Sequence, residues 1–167
     1  MNTNQLKRFA QEARIKLIDQ IGAKLEKVLT SDSAALREKA GHLKKLQEAI
    51  NKTSKTEVID TVAYTWFNRF VALRFMDVNG YEPIGISIVS PIKGGTLPAI
   101  LQEAKQGNIP EELPVQQQRI YDVLDGRIPS ADAQNEAYAT LLVGACNHLN
   151  NVFPFLFEKI DDYAELL

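Results

Sequence analysis

The chain has 167 residues, a length that one domain of ordinary size can account for. Hydrophobic residues make up 45% and charged residues 24%, so the composition excludes a largely disordered chain. The net charge of −2 hides an asymmetry, because residues 1–60 carry twelve Lys and Arg against eight Asp and Glu, whereas residues 61–167 carry seven against thirteen. Either a solvated helical surface or contact with nucleic-acid phosphates explains the basic excess of residues 1–60.

Several function classes find no support in the sequence. The single cysteine, Cys146, lies in an apolar run, which predicts a small buried side chain in a reducing compartment. His42 and His148 lie far apart with no other Cys or His at ligand spacing, so no metal site is expected. No apolar stretch reaches the ~18 residues of a membrane span, and the N-terminus is not that of a signal peptide. We therefore expect a cytoplasmic protein with no membrane partner.

Two amphipathic helices are predicted first. Apolar residues recur every three or four positions from Leu6 to Val28 and again from Leu36 to Ile50. Residues 30–33 supply helix-stop and N-cap chemistry between them. The short connection favours an antiparallel hairpin over residues 1–52, which also carries the basic excess.

A third helix is predicted from Ser54 to Asn79-Gly80. Ser54 and Glu57 match a capping box, and an Asn-Gly pair is typical of a helix end. Its apolar residues spread around the circumference, which predicts a central, buried helix. Arg74 and Asp77, three residues apart, are predicted to form an ion pair. Arg69 and Arg74 are either satisfied by carboxylates or helix-end carbonyls, or bind an anion or nucleic acid.

The remaining segments are shorter. Residues 84–89 alternate between two prolines, which predicts a short strand or an extended segment. Thr96 is predicted to cap a helix over 98–106, and further helices are predicted over 114–124 and 131–151. The fold class is therefore mainly α, a multi-helix bundle with a long N-terminal hairpin. We expect one helical domain over 1–167, divided into a basic hairpin (1–52) and a helical core (54–167).

No catalytic, cofactor-binding or metal-binding residue is predicted. A glycine-rich turn after a strand and a nucleophile elbow are both missing, and residues 93–96 do not have the order of a phosphate loop. The sequence ends on Leu166-Leu167 without a capping signal, so we expect a fragment of a longer protein that is inactive alone.

Three segments carry a resemblance to a known family. Residues 62–81, VAYTWFNRFVALRFMDVNGY, resemble the N-terminal region of bacterial adenine-specific DNA methyltransferases, close to the PglX family of the BREX phage-exclusion systems. Residues 6–14 and 154–163 resemble the same proteins in the same order. The resemblance implies a Type IIG-like parent enzyme that transfers a methyl group from S-adenosylmethionine to the N6 amine of adenine. Its glycine-rich cofactor motif and Asn-Pro-Pro-Tyr-type motif would lie downstream, since neither occurs here.

The resemblance also implies partners. These are a downstream methyltransferase domain, double-stranded DNA bound through the parent, and other phage-defence proteins. The candidate DNA or partner contacts are Lys7, Arg8, Arg14, Lys44, Lys45, Arg69 and Arg74. The alternative is a stand-alone, non-enzymatic helical module for protein interaction. The reading frame downstream of Leu167 distinguishes the two hypotheses.

Overall fold

A computed structural model describes residues 3–158, 160 and 163–167. Within these residues the chain forms seven α-helices and a short 3-10 helix, Ala164–Leu166. The α-helices are α1 (Thr3–Thr30), α2 (Ala34–Glu38), α3 (Ala40–Lys52), α4 (Lys55–Val78), α5 (Ala99–Lys105), α6 (Gln117–Leu124) and α7 (Ala133–Val152). The predicted mainly α-helical class is confirmed. No helix in this part of the chain combines the length and hydropathy that a membrane span requires.

The residues group into two compact units. The first unit is Met1–Asn68 with Asp161–Leu167, and the second is Arg69–Ile160. The division between the two units falls inside α4, between Asn68 and Arg69.

The core of the first unit is built from one side of each of its long helices. Its buried residues are Ile21, Leu25 and Val28 of α1, Leu46 of α3, Val58, Val62 and Ala63 of α4, and Leu166. Two ion pairs give the direction of the packing: Arg14 lies 3.8 Å from Asp60, and Lys55 lies 2.7 Å from Glu26. Because the α4 partner number falls as the α1 number rises, α1 and α4 run antiparallel.

The predicted second helix is two helices. Ser33 caps α2, since its hydroxyl accepts the backbone amide of Leu36 at 3.3 Å. The helix is interrupted at Lys39, whose φ of −102° and ψ of 29° lie outside the helical range. Gly41 follows two residues later, and glycine lowers the cost of such a break because it is a weak helix former.

Both ends of α4 follow the sequence signals. The hydroxyl of Ser54 accepts the amide of Glu57 at 3.1 Å, which confirms the hydroxyl half of the predicted capping box. At the other end Gly80 has a φ of 69°. The amide of Tyr81 donates to the carbonyl of Met76 at 2.9 Å, and that of Gly80 to the carbonyl of Asp77 at 3.4 Å. These two bonds are the Schellman motif that an Asn-Gly end predicts.

The predicted burial of α4 holds for one side of the helix. Ala72, Leu73 and Met76 are buried, whereas Val71 and Phe75 are 46% and 61% exposed. Some apolar residues of α4 are therefore exposed, so residue type alone did not predict which sides of the helix are buried.

The second unit contains α5, α6 and α7. These helices confirm those predicted over 98–106, 114–124 and 131–151, with ends shifted by up to three residues. Its fully buried side chains include Ile100, Ile120, Leu141, Leu149 and Phe157. The first turn of α7 is capped by Asp132, which accepts the amide of Asn135 at 3.1 Å.

Candidate nucleic-acid interface and the loop bound by Asp77

Asp77, in the last turn of α4, binds three successive backbone amides. Its carboxylate accepts the amide of Ile88 at 3.1 Å, that of Val89 at 2.9 Å and that of Ser90 at 2.7 Å. We call residues 84–90 the Asp77 loop. A carboxylate is a stronger acceptor than a neutral carbonyl, and three converging amides form a concave site for a negative charge. The Asp77 loop is therefore attached to the end of α4 by charge-assisted hydrogen bonds.

The predicted ion pair between Arg74 and Asp77 is wrong. The guanidinium of Arg74 donates to the hydroxyl of Ser90, while the oxygens of Asp77 accept the loop amides. Spacing along one helix could not show that a loop eleven to thirteen residues later would use the carboxylate. Both side chains thus bind the Asp77 loop instead of each other.

The Asp77 loop in turn caps α5. The carbonyl of Ser90 accepts the amide of Ala99 at 2.9 Å, and that of Ser87 accepts the amide of Ile100 at 3.2 Å. The prediction that Thr96 caps this helix is wrong, because α5 begins after Pro98 and loop carbonyls satisfy its first amides.

The conformation of the Asp77 loop differs from a strand. Within the described residues, 84–89 pair with no strand, and the bridge nearby is a single antiparallel one between Pro91 and Pro98. The loop backbone has other partners, since Asp77 binds its amides and the hydroxyl of Tyr138 donates to the carbonyl of Ile88 at 3.2 Å. The alternating apolar residues still contribute to the core, because Ile84 and Ile88 are buried.

Arg69 is a buried cation, only 3% exposed. Its guanidinium donates to the backbone carbonyl of Glu158 at 2.6 Å. That carbonyl lies outside the helices, and the burial of Arg69 leaves little of its side chain for phosphate contact. Nearby Cys146 is fully buried, and that burial raises the pKa of its thiol to about 12 although the charge of Arg69 opposes the shift.

The candidate cations of the first unit lie on α1 and α3 and are exposed. Arg8 lies 2.7 Å from Glu12, Arg14 lies 3.8 Å from Asp60, and Lys44 lies 3.9 Å from Glu48. The other two, Lys7 and Lys45, are exposed on the same two helices. Surface pairs of this kind contribute about 0–1 kcal/mol each, so phosphates can replace the carboxylates at small cost.

Glycine geometry does not fit a methyl-donor site. A turn that binds S-adenosylmethionine would follow a strand, whereas Gly80, Gly107 and Gly126 have positive φ just beyond the ends of α4, α5 and α6. Gly94 lies in the turn between Pro91 and Pro98. Over the described ranges no three His, Cys, Asp or Glu side chains converge on a metal position.

These features define a helical protein region in which polar contacts hold loops and helix ends in place. The whole chain is 31% identical, over 198 aligned positions, to the adenine-specific methyltransferase PglX of Lacticaseibacillus casei (strain Zhang). It is equally 31% identical over 198 positions to the adenine-specific methyltransferase BrxX of Escherichia coli O9:H4 (strain HS). The resemblance to the PglX family found in the sequence is confirmed.

The match covers a small part of each relative. The chain spans 16% of the length of PglX and 15% of that of BrxX, which is consistent with a single region of such a protein. No protein-family profile matches the chain.

Proposed function

We propose that the chain is the N-terminal helical region of an S-adenosylmethionine-dependent N6-adenine DNA methyltransferase from a phage-defence or restriction-modification system. The observation that carries the proposal is identity of 31% along the whole chain to two adenine-specific methyltransferases that are each several times longer. In this proposal the methyl donor, the adenine pocket and the catalytic motif belong to the downstream part of the parent. The BREX context rests on the same relatives.

Within the parent, this region supports the DNA cleft through the exposed cations of α1 and α3. Lys7, Arg14 and Lys44 are exposed on α1 and α3, the helices that also contribute buried residues to the core of the first unit. Their carboxylate partners lie at 3.8 to 3.9 Å where present, distances at which the pairing is weak. Such cations contribute to DNA affinity by releasing counterions from the phosphates.

Point substitutions test the cleft role better than a deletion of residues 1–60. That deletion removes Ile21, Leu25, Val28 and Leu46 from the core of the first unit, so lost activity would only report misfolding. The test is carried out on the longer polypeptide. Lys7→Gln with Lys44→Gln is compared with Lys93→Gln with Lys105→Gln, because both variants lose two exposed lysines and the second pair lies in the second unit.

The measured quantity is the dependence of DNA affinity on salt concentration. For K7Q/K44Q we expect weaker binding and a slope of log Kd against log salt reduced by about two, since each phosphate contact contributes about one. For K93Q/K105Q we expect the wild-type slope. Equal slopes for the two double variants would reject the cleft role and leave the methyltransferase assignment standing.

A further inference from the structure

The exposed side of α4 in the second unit carries a contiguous set of apolar side chains. Val71, Phe75 and Val78 are spaced by four and three residues, so they lie along one side of the helix. They are 46%, 61% and 64% exposed, and Tyr81, just beyond the helix, is 59% exposed. The rings of Phe75 and Tyr81 lie 6.2 Å apart between centroids. We call these four residues the α4 stripe.

The α4 stripe is not needed for the core of the second unit. Ala72, Leu73 and Met76 of the same helix segment already supply buried apolar side chains to that core. Single exposed apolar residues are common on protein surfaces, but a contiguous set with two aromatic rings is typical of a contact surface. Aromatic side chains also contribute most to such contacts, because they bury a large area and lose little conformational entropy.

We propose that the α4 stripe is the surface on which the downstream part of the parent polypeptide packs, through an apolar helix face or groove of its own. The inference rests on the proposed function, because that function supplies the longer chain. The relatives extend far beyond the region that this chain matches. In a parent of similar length, most of the residues that could cover the stripe therefore lie outside this chain.

The size of the stripe favours an intramolecular partner over a second copy of the chain. Two aromatic and two valine side chains at this exposure offer roughly 400 Å². A stable interface between separate proteins buries about 800 Å² on each partner, which is twice that area. A covalently linked partner needs less area, because the linkage gives it a high effective concentration.

Cysteine labelling tests the inference directly. Phe75→Cys and Val78→Cys are made separately in the 167-residue chain and in the longer polypeptide, and labelling by a maleimide is measured by mass spectrometry of the peptide that carries the site. The native thiol of Cys146 should not react with the maleimide, because the side chain is fully buried. Ile15→Cys is the matched control, because Ile15 on α1 is 60% exposed and Phe75 is 61% exposed. The surroundings of Ile15 differ from the stripe, since the carboxylates of Glu12 and Asp19 lie about one helical turn away.

We expect labelling at positions 75 and 78 to be at least about tenfold slower in the longer polypeptide than in the 167-residue chain, because thiol reactivity requires exposure. Position 15 should react equally fast in both. Equal rates at positions 75 and 78 would overturn the inference. Protection that already appears in the 167-residue chain as its concentration rises would overturn it too, because a second copy would then cover the stripe.

The labelling result and the proposed function fail in distinguishable ways. Methylation of DNA by the longer polypeptide with position 75 still reactive would reject the packing surface and keep the methyltransferase assignment. Protection of position 75 without any methylation would reject the assignment and keep the packing surface. A reading frame that stops after Leu167 would reject both.

Discussion

The carboxylate of Asp77 accepts the backbone amide of Ser90 at 2.7 Å, and the carbonyl of the same Ser90 accepts the first amide of α5. One residue of the Asp77 loop thus connects the end of α4 to the beginning of α5. Arg74 binds the hydroxyl of Ser90 as well, so three groups of this residue have partners. The loop is positioned by polar contacts to its backbone, in addition to the burial of Ile84 and Ile88.

Asp77→Asn should destabilise the protein by about 2 kcal/mol. The asparagine side chain has one acceptor oxygen instead of two, and its NH2 group, which is a donor, would face backbone amides that are also donors. The measurement is urea denaturation followed by far-UV circular dichroism. Asp60→Asn is the control, because the pair of Asp60 with Arg14 is long, at 3.8 Å, and half-exposed, so its loss should cost less than about 1 kcal/mol. Equal costs for the two variants would show that the three amide bonds contribute nothing beyond a surface charge.

Gly144→Ala should destabilise the second unit, although alanine normally stabilises a helix by about 1 kcal/mol relative to glycine. A Cβ at position 144 would overlap Cγ1 of Val115, whose branched side chain has little freedom to move away. Such overpacking costs about 1–3 kcal/mol.

The double variant Gly144→Ala with Val115→Ala separates the overlap from other effects. Removing the valine methyls should recover stability relative to Gly144→Ala alone, with a coupling of about 1 kcal/mol or more in a double-mutant cycle. Additive costs in thermal and urea denaturation would contradict the close approach of α7 to residue 115.

Stability should fall in alkaline solution because of two weakly acidic side chains, the buried Cys146 and the partly buried Tyr138. Burial raises the pKa of Cys146 from its ordinary 9.0 to about 12, and burial together with the charge of Asp77 raises that of Tyr138 from 10.0 to about 12. Both groups lose their protons more readily in the unfolded chain. The stability that they contribute is complete below pH 9 and is lost as the pH rises toward 12.

Urea denaturation at pH 8, 9, 10 and 11 measures this loss. Cys146→Ala should remove the part of the decline that starts near pH 9, and Tyr138→Phe the part that starts near pH 10. A decline of unchanged steepness in both variants would assign it to other groups.

Ser54→Ala should cost about 1 kcal/mol, because the amide of Glu57 loses the hydroxyl that accepts it at 3.1 Å. Ser54→Asp should keep most of the stability, since a carboxylate can accept the same amide at the beginning of α4. The midpoints of thermal unfolding compare the three proteins. An unchanged midpoint for Ser54→Ala would mean that water replaces the cap without loss.

Sequence patterns predicted the elements that depend on neighbouring residues. The Ser54 cap and the Gly80 end of α4 follow from signals within one helical turn, and the long helices follow from apolar spacing. The buried state of Cys146 was predicted from its apolar run. In each case the residues that decide the structure lie close together in the chain.

The missed features depend on residues far apart in the chain. Asp77 was expected to pair with Arg74, but its partners are loop amides that follow a proline and a glycine at Pro83 and Gly85. An acidic residue in the last turn before such a loop is a signal that could have pointed to this contact. The close approach at Gly144 had no comparable signal, because Val115 lies 29 residues earlier.

The candidate DNA-contacting cations are the feature that the sequence predicts least well. A basic excess identifies the helices that carry them, but only the structure shows that Arg69 is buried against a backbone carbonyl whereas Lys7 and Lys44 are exposed. Charge patterning therefore identifies the candidate basic residues, and the exposure of each side chain decides whether it can contact a phosphate.

The most direct test measures N6-methyladenine in the genome of cells that carry the gene encoding this region. We predict adenine methylation within one recurring DNA sequence, present with the intact gene and absent when that gene is deleted. Genomes with and without the gene that have identical adenine methylation, while the full-length polypeptide is expressed and folded, would contradict the account.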